Sequence, residues 1–440
     1  MKSANRLDIF GSTFACECGR THAVEPRRVI YEAGAVERLP HICASAAPGR
    51  RVAVLMDVRT RDVAGAEAYR ALADAGWQVA EIIVPDPAPG RSPVCDDVTR
   101  EKLLPRVREA DLLVAAGSGV VTDLSRWCAL EMDVPFVSIP TAASMNGYCS
   151  ANVAPTIGGV KSLLWARTPA AVAADPSVIE GAPPETTASG LGDVLAKSVS
   201  AGDWRMNSLL FGDYYCPRAV GLIADIEPLY MDRPEALKAS DPDAVEALFS
   251  ALLLTGAAMT MAGTSSPASG GEHNVSHALD MMSLLDGAEH DLHGRQVGVG
   301  TVLASELYRR VLAVESPQFT EPVESVDEAF WGRLANVVGD EYAGKVDRLR
   351  LARGKLASGD TWDRLREGVA PLLRGPATVR DCLARADAAH RAEDIGCDHE
   401  RLLAAFLHAH EMRARLTVLD LARLLGIMPG SAREIVETWT

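Results

Sequence analysis

Leu112-Leu-Val-Ala-Ala-Gly-Ser-Gly-Val-Val-Thr-Asp123 decides how the chain is read. Leu112–Ala116 is a short apolar run closed by glycine, as in a strand buried on both faces. From Val121 to Glu131 the apolar spacing is helical. Glycines between a strand and a helix let backbone approach a ligand, and the helix start offers N–H groups to a phosphate. Position 122 is Thr, so the loop is not the G-x-G-x-x-G fingerprint. No Gly-Lys-Ser/Thr follows, so it is not a P-loop. An ordinary strand-to-helix turn has the same composition, and from this loop alone the two readings stand level.

The neighbouring sequence repeats the pattern. Strands are expected at Val52–Met56, Val79–Val84 and Phe136–Ile139, with Ala170–Ala174 as a further extended run. Helices are expected at Ala64–Ala75 and Val98–Arg108, while 151–164 is mixed in character. Strands alternating with helices of 10–15 residues indicate βαβ units and a mostly parallel sheet. After Asp175 the spacing turns helical, in runs such as Ala188–Trp204, Ala244–Ala262, Val302–Val314, Thr378–Ala389 and His399–His408. The expectation is an α/β domain over residues 1–180 and an all-helical domain over 181–440, with an active site in the cleft between them.

Composition sets limits. The chain has 440 residues, a formal charge of −15, 48% hydrophobic and 23% charged residues, which is globular rather than disordered. An acidic surface repels phosphate backbones, so nucleic-acid binding is not expected, and an anionic ligand needs a local site. Nine mostly isolated cysteines fit a reducing cytoplasm better than a disulfide framework. The first residues, Met-Lys-Ser-Ala-Asn-Arg-Leu-Asp, lack the apolar run of a signal peptide. No charge falls between Glu246 and Glu272, long enough for a membrane span. Only Ala247–Ala262 is strongly apolar, however, and Ser, Thr, Gly and Pro follow. A buried core helix entering a polar loop is the better reading.

Four constellations suggest chemistry. The first is the loop 117–123. Pro140-Thr-Ala-Ala-Ser-Met-Asn-Gly-Tyr-Cys-Ser150 follows a strand, where small hydroxyl residues suit ligand contact in an open sheet, although a plain polar loop fits equally well. Four of the ten histidines lie in Glu272-His273-Asn-Val-Ser-His277 and Glu289-His290-Asp-Leu-His293. His273 and His277 share a helix face at i, i+4, and imidazole suits divalent transition metals. Asp193, opening the apolar helix of Gly190-Leu-Gly-Asp-Val-Leu-Ala-Lys197, is the best carboxylate to join them, because a buried carboxylate needs a partner such as a cation. Last, Cys16-Glu-Cys-Gly-Arg-Thr-His22 has zinc-like residues, but the cluster is incomplete and reads more readily as a turn at an exposed terminus. His399, His408 and His410 read as helix faces.

Taken together and in this order, these pieces resemble the glycerol-1-phosphate dehydrogenases, in the superfamily of iron-containing alcohol dehydrogenases, glycerol dehydrogenases and dehydroquinate synthases. The motifs that carry the resemblance are Gly117–Asp123, Pro140–Ser150, Gly192–Lys197, Glu272–His277 and His293–Thr301. The likeness runs from the Cys-x-Cys-Gly start to Ala414–Leu421. The bacterial branch is closer than the archaeal one, by that start and by the extended C-terminus. The resemblance implies a dehydroquinate synthase-like fold: a dinucleotide domain, then a helical domain that holds one divalent metal and the substrate.

By motif, it implies Asp193, His273 and His293 as metal ligands, with Asp193 and His277 as catalytic and substrate-facing groups. Gly117, Gly119, Val120, Val121, Thr122 and Asp123 would line the cofactor pyrophosphate, joined by Thr141, Ala142, Ala143, Ser144 and Ser150. Asn146 stands where the family usually has a substrate-touching aspartate, a departure that bears on substrate identity. Zinc and nickel rank ahead of iron. Asp57, after the strand Val52–Met56, would accept from both ribose hydroxyls and favour NAD(H). Arg59 is the alternative, accepting the 2′-phosphate of NADP(H). The expected reaction is reversible reduction of dihydroxyacetone phosphate to sn-glycerol 1-phosphate. Another polyol or phosphorylated ketone is the alternative, followed by a phosphate-eliminating lyase of the dehydroquinate synthase kind. Lys161 and Lys197 are phosphate or charge partners in this reading, or structural lysines. A homodimer without membrane insertion is expected.

Overall fold

A computed structural model describes residues 6–440, so Met1–Asn5 of the stretch read as lacking a signal peptide lie outside the described residues. The chain forms two compact units. The first runs to Gly190 and includes Gly221–Gly263; the second comprises Leu191–Val220 and Thr264–Thr440. This partition differs from a single cut near residue 180, because the 221–263 segment belongs to the first unit.

The first unit opens with a hairpin of β1 (Thr13–Ala15) and β2 (Thr21–Ala23). Its sheet contains β3 (Val29–Tyr31), β4 (Arg51–Met56), β5 (Gln78–Ile83), β6 (Leu112–Gly117), β7 (Phe136–Pro140) and β8 (Ala171–Ala174). All six are parallel, in the order β3-β8-β7-β6-β4-β5. Alternate residues feed two cores. Val52, Val54, Val114 and Ile139 face one side with Leu39 and Leu72. Ala53, Leu55, Leu113 and Phe136 face the other with Leu103, Leu124 and Cys128. Burial on both faces explains why these strands read as unbroken apolar runs. Two further strand pairs, Asn152–Val153 with Leu164–Trp165 and Thr156–Ile157 with Val160–Lys161, fill the segment of mixed character.

Helices α1 (Ala66–Asp74), α2 (Asp97–Val107) and α3 (Gly119–Met132) connect the strands. The direction of connection reverses at β4, with β5 on one side and β6 on the other. Ligands of open α/β sheets bind outside the strand ends at such a point, where the residues after β4 and β6 lie. The Ala188–Trp204 run is two helices, α4 (Pro184–Leu195) and α5 (Lys197–Phe211), interrupted at Ala196. The long apolar run becomes α6 (Pro242–Ala262), capped by Gly263 at φ 68°. It is the one helix among the described residues long and apolar enough to cross a membrane, and 89% of its most apolar window is buried.

The second unit contains α7 (Gly271–Asp286) and α8 (His293–Leu312), a 22-residue helix at Ala335–Leu356, then α9 (Pro376–Arg385) and α10 (His399–His408), with further helices. Backbones approach closely where side chains are absent. A Cβ on Gly192 would stand 2.0 Å from the Gly294 carbonyl oxygen, and one on Gly300 2.4 Å from that of Glu272. Glycine at these two positions lets α8 lie against α4 and α7.

Candidate metal centre and cofactor site

These close approaches bring three predicted ligands together. Asp193 lies in the last turn of α4, His273 in the first turn of α7, and His293 opens α8. One ligand atom from each lies within 4.8 Å of the others. Asp193 and His273 are buried. His273 Nε2 is 3.4 Å from Asp193 Oδ1, while its Nδ1 is 2.8 Å from Glu272 Oε1. His293 Nδ1 is 3.2 Å from Ser276 Oγ, which donates to Gln296 Oε1 at 2.9 Å. Each imidazole thus has Nδ1 held by a neighbour, the usual arrangement of metal-binding histidines, and His273 turns Nε2 toward Asp193.

The local charge suits a cation. Burial opposes a positive His273, but hydrogen bonds to Asp193 and Glu272 outweigh it and hold the ring up to about 9. Glu272 Oε1 also accepts from Gly270 N–H at 2.7 Å, whereas Oε2 is buried with no hydrogen-bond partner among the described residues. Asp203 accepts from Gly271 N–H and Val418 N–H, both at 2.8 Å, and from the Tyr308 hydroxyl at 2.5 Å. It therefore pins the start of α7 beneath His273. Burial and Glu272 push Asp203 up to about 8. A buried carboxylate and two oriented imidazoles, with the Glu272 carboxylate behind one ring, fit a divalent ion.

His277 is buried and stacks on His293, with ring centroids 5.6 Å apart at 19°. With Asp280 and His293 it forms a second set of ligand atoms within 4.8 Å. Asp280 is three residues beyond His277, so helical spacing alone could have signalled it. Glu272, Ser276 and Asp203 gave no such signal, because their roles depend on contacts made by α7.

In the first unit, Asp57 directly follows β4 and Gly117 ends the adjacent strand β6. Asp57 caps a helical turn, accepting from Arg59 N–H at 2.7 Å and Thr60 N–H at 2.8 Å through Oδ1. Arg59 forms a two-point ion pair with Asp86, at 3.1 and 2.5 Å. Gly117 is tight, since a Cβ there would meet Val121 at 2.6 Å; one on Gly119 would meet Met145 Sδ at 2.8 Å. Ser118 makes no side-chain cap, so the first-turn N–H groups of α3, at Gly119, Val120 and Val121, keep their donor capacity. Thr122 is buried, with no hydrogen-bond partner for its hydroxyl among the described residues.

Asp123 instead braces the following loop. It pairs with Arg126 at 2.6 Å and accepts from Ala154 N–H at 3.3 Å. Arg126, itself buried, donates to the carbonyls of Asn152 at 2.8 Å and Gly147 at 2.7 Å. Thr141, Ala142 and Ala143 are buried after β7, and Ser144 Oγ lies 2.9 Å from the Tyr148 hydroxyl, which donates to Ala142 O. Ser150 is fully buried and donates to Gly147 O at 3.0 Å. Asn146 opens a 3-10 turn against α6, where a Cβ on Gly256 would stand 2.6 Å from its carbonyl oxygen. Lys197 is buried and donates to Ala219 O at 3.3 Å, a structural contact. Lys161 lies in one of the short strand pairs. No disulfide occurs among the described residues.

The signature of the iron-containing alcohol dehydrogenases matches residues 30–183. The chain is 28% identical to a glycerol-1-phosphate dehydrogenase of Bacillus licheniformis over 94% of each chain. It is 32% identical to one from Geobacillus stearothermophilus over 72% of each. Both relatives are named as NAD(P)+ enzymes. A crystal structure of a probable glycerol dehydrogenase from Sinorhizobium meliloti superposes with a TM-score of 0.60 at 18% identity, covering 92% of this chain and 97% of the other. The fold, the matched signature and the relatives agree: the chain belongs to the glycerol-1-phosphate dehydrogenase family of the iron-containing alcohol dehydrogenase superfamily.

Proposed function

We propose that the protein is a metal-dependent, NAD(P)-linked oxidoreductase that interconverts dihydroxyacetone phosphate and sn-glycerol 1-phosphate. The convergence of Asp193, His273 and His293 within 4.8 Å carries this reading, together with the relatives' names. Those three residues hold one divalent ion, zinc or nickel ahead of iron. When bound, the ion polarises the ketone and the nicotinamide supplies hydride. Glu272 holds Nδ1 of His273 and so points Nε2 at Asp193, and Ser276 holds Nδ1 of His293. His277, stacked on His293, serves the substrate, holding a hydroxyl or passing the proton that the reduced oxygen takes up.

For the cofactor, the first-turn N–H groups of α3 and the residues Thr141–Ser144 receive the pyrophosphate side. The Asp57 carboxylate favours NADH, and the Arg59–Asp86 pair supports that preference by occupying the guanidinium a 2′-phosphate would need. Asn146 motivates a second reading, in which the same machinery acts on another polyol or phosphorylated ketone.

The test is NADH oxidation with dihydroxyacetone phosphate, using chelator-stripped protein refilled separately with zinc and nickel. Metal-dependent turnover is expected, and light scattering reads the homodimer that the resemblance implies. No turnover on a loaded centre overturns the substrate assignment, and other ketones and phosphate release are then screened.

A further inference from the structure

The N-terminal hairpin carries a cluster that the dehydrogenase reading leaves unused. In the pairing of β1 with β2, Phe14 stands opposite His22 and Ala15 opposite Thr21. Side chains alternate along a strand, so Cys16 continues the face shared by Phe14 and His22. The Phe14 and His22 rings lie 5.7 Å apart. Cys16 N–H donates to Arg20 O at 2.9 Å, and Gly19 N–H to Cys16 O at 3.0 Å, closing the turn. Gly19 adopts φ 85°, a left-handed conformation that reverses the chain just after Cys18. Cys18 Sγ consequently lies 3.2 Å from His22 Nε2, and the ligand atoms of Cys16, Cys18 and His22 all fall within 4.8 Å of one another. His22 is buried and both cysteines are half-buried.

We infer that Cys16, Cys18 and His22 form a structural zinc site, distinct from the Asp193–His273–His293 centre and independent of the activity proposed for it. Two thiolates and a neutral imidazole are a donor set suited to zinc. With Zn–S near 2.3 Å and Zn–N near 2.0–2.1 Å, a tetrahedral S···N edge is about 3.6 Å. The observed 3.2 Å reaches that edge by a shift of a few tenths of an ångström. Two thiol protons leave as the ion binds, and the thiolates cancel its charge. Water or a further thiolate takes the fourth position. The ion has a structural task here: strands of three residues bury too little to hold a hairpin alone, and an ion joining the turn to β2 fixes it.

Zinc content decides the matter, measured on full-length wild-type protein, Cys16→Ser/Cys18→Ser and His273→Ala. One zinc per chain is expected to disappear in the double cysteine variant and to persist in His273→Ala. A second measurement needs no variant. Cobalt(II)-loaded wild-type protein is expected to show intense near-ultraviolet thiolate-to-cobalt bands, which a carboxylate–histidine centre does not produce. Unchanged zinc in the double variant, absence of those cobalt bands, or a Cys16–Cys18 disulfide in freshly purified protein overturns the inference.

Discussion

At the residue scale, His273 links the proposed metal centre to pH. Its ring is held up to about 9 by Asp193 and Glu272, so at pH 7 it carries a proton. A metal ion must displace that proton. Apparent metal affinity is therefore expected to rise about tenfold per pH unit from pH 7 to 9 and to level off above it. Calorimetry in buffers of different ionisation enthalpy should count about one proton released from this group at pH 7; a flat affinity profile contradicts the coupling. Glu272→Gln keeps the shape but removes the charge behind the ring, and is expected to weaken metal binding by about 10–100-fold. His273→Ala is expected to abolish metal binding and turnover while thermal unfolding stays cooperative; retained turnover without metal removes His273 from the ligand set. The histidines were legible because i, i+4 spacing survives translation into a helix. Asp57 and Asp123 were less so. A carboxylate after a strand or in a first helical turn looks the same in sequence whether it caps a helix, pairs with an arginine or meets a ribose, and here hydrogen bonds to Arg59, Thr60 and Arg126 use much of their capacity.

At the scale of elements, glycines set the geometry of the centre. The carbonyl of Gly294 occupies the space where a Gly192 Cβ would project, so Gly192→Ala must push α8 away from α4. The expected cost is about 1–3 kcal/mol, together with weaker metal binding as Asp193 and His293 separate. Gly354→Ala, where a Cβ meets nothing within 4 Å, is the control. It lies inside a helix and is expected to be neutral or to stabilise by up to about 1 kcal/mol. Urea melts and metal titrations on both variants read the difference; equal behaviour contradicts the packing argument. Helix periods gave away most of these elements, and continuous apolar runs gave away the sheet. The break at Ala196 escaped because alanine and lysine continue a helical pattern without interruption. The hairpin escaped because its strands have three residues each, too few for alternation to register.

At the scale of the whole molecule, the two units divide the proposed chemistry. Asp193, His273, His277 and His293 all belong to the second unit. Asp57 and the residues proposed for the cofactor, Gly117 to Ser150, all belong to the first. The sequence indicated an α/β half followed by a helical half, since periodicity changes near Asp175. Periodicity cannot assign a helix to a unit, because α6 is as helical as α7 although its segment packs with the sheet. This division predicts where ligand binding slows backbone exchange. Ligands stabilise the segments they hold against opening, by mass action. Outside the hairpin 13–23, where the proposed zinc site would act, zinc or nickel alone should slow amide hydrogen exchange mainly in peptides covering 191–204 and 271–312. NADH alone should act mainly on peptides covering 51–60, 112–126 and 136–150. Metal protection that leaves 191–204 and 271–312 unchanged would detach Asp193, His273 and His293 from the ion even if turnover were metal-dependent. NADH protection absent from the loops after β4 and β6 would place the cofactor away from the strand-end crevice, and the case for Asp57 as its ribose partner would fall with it.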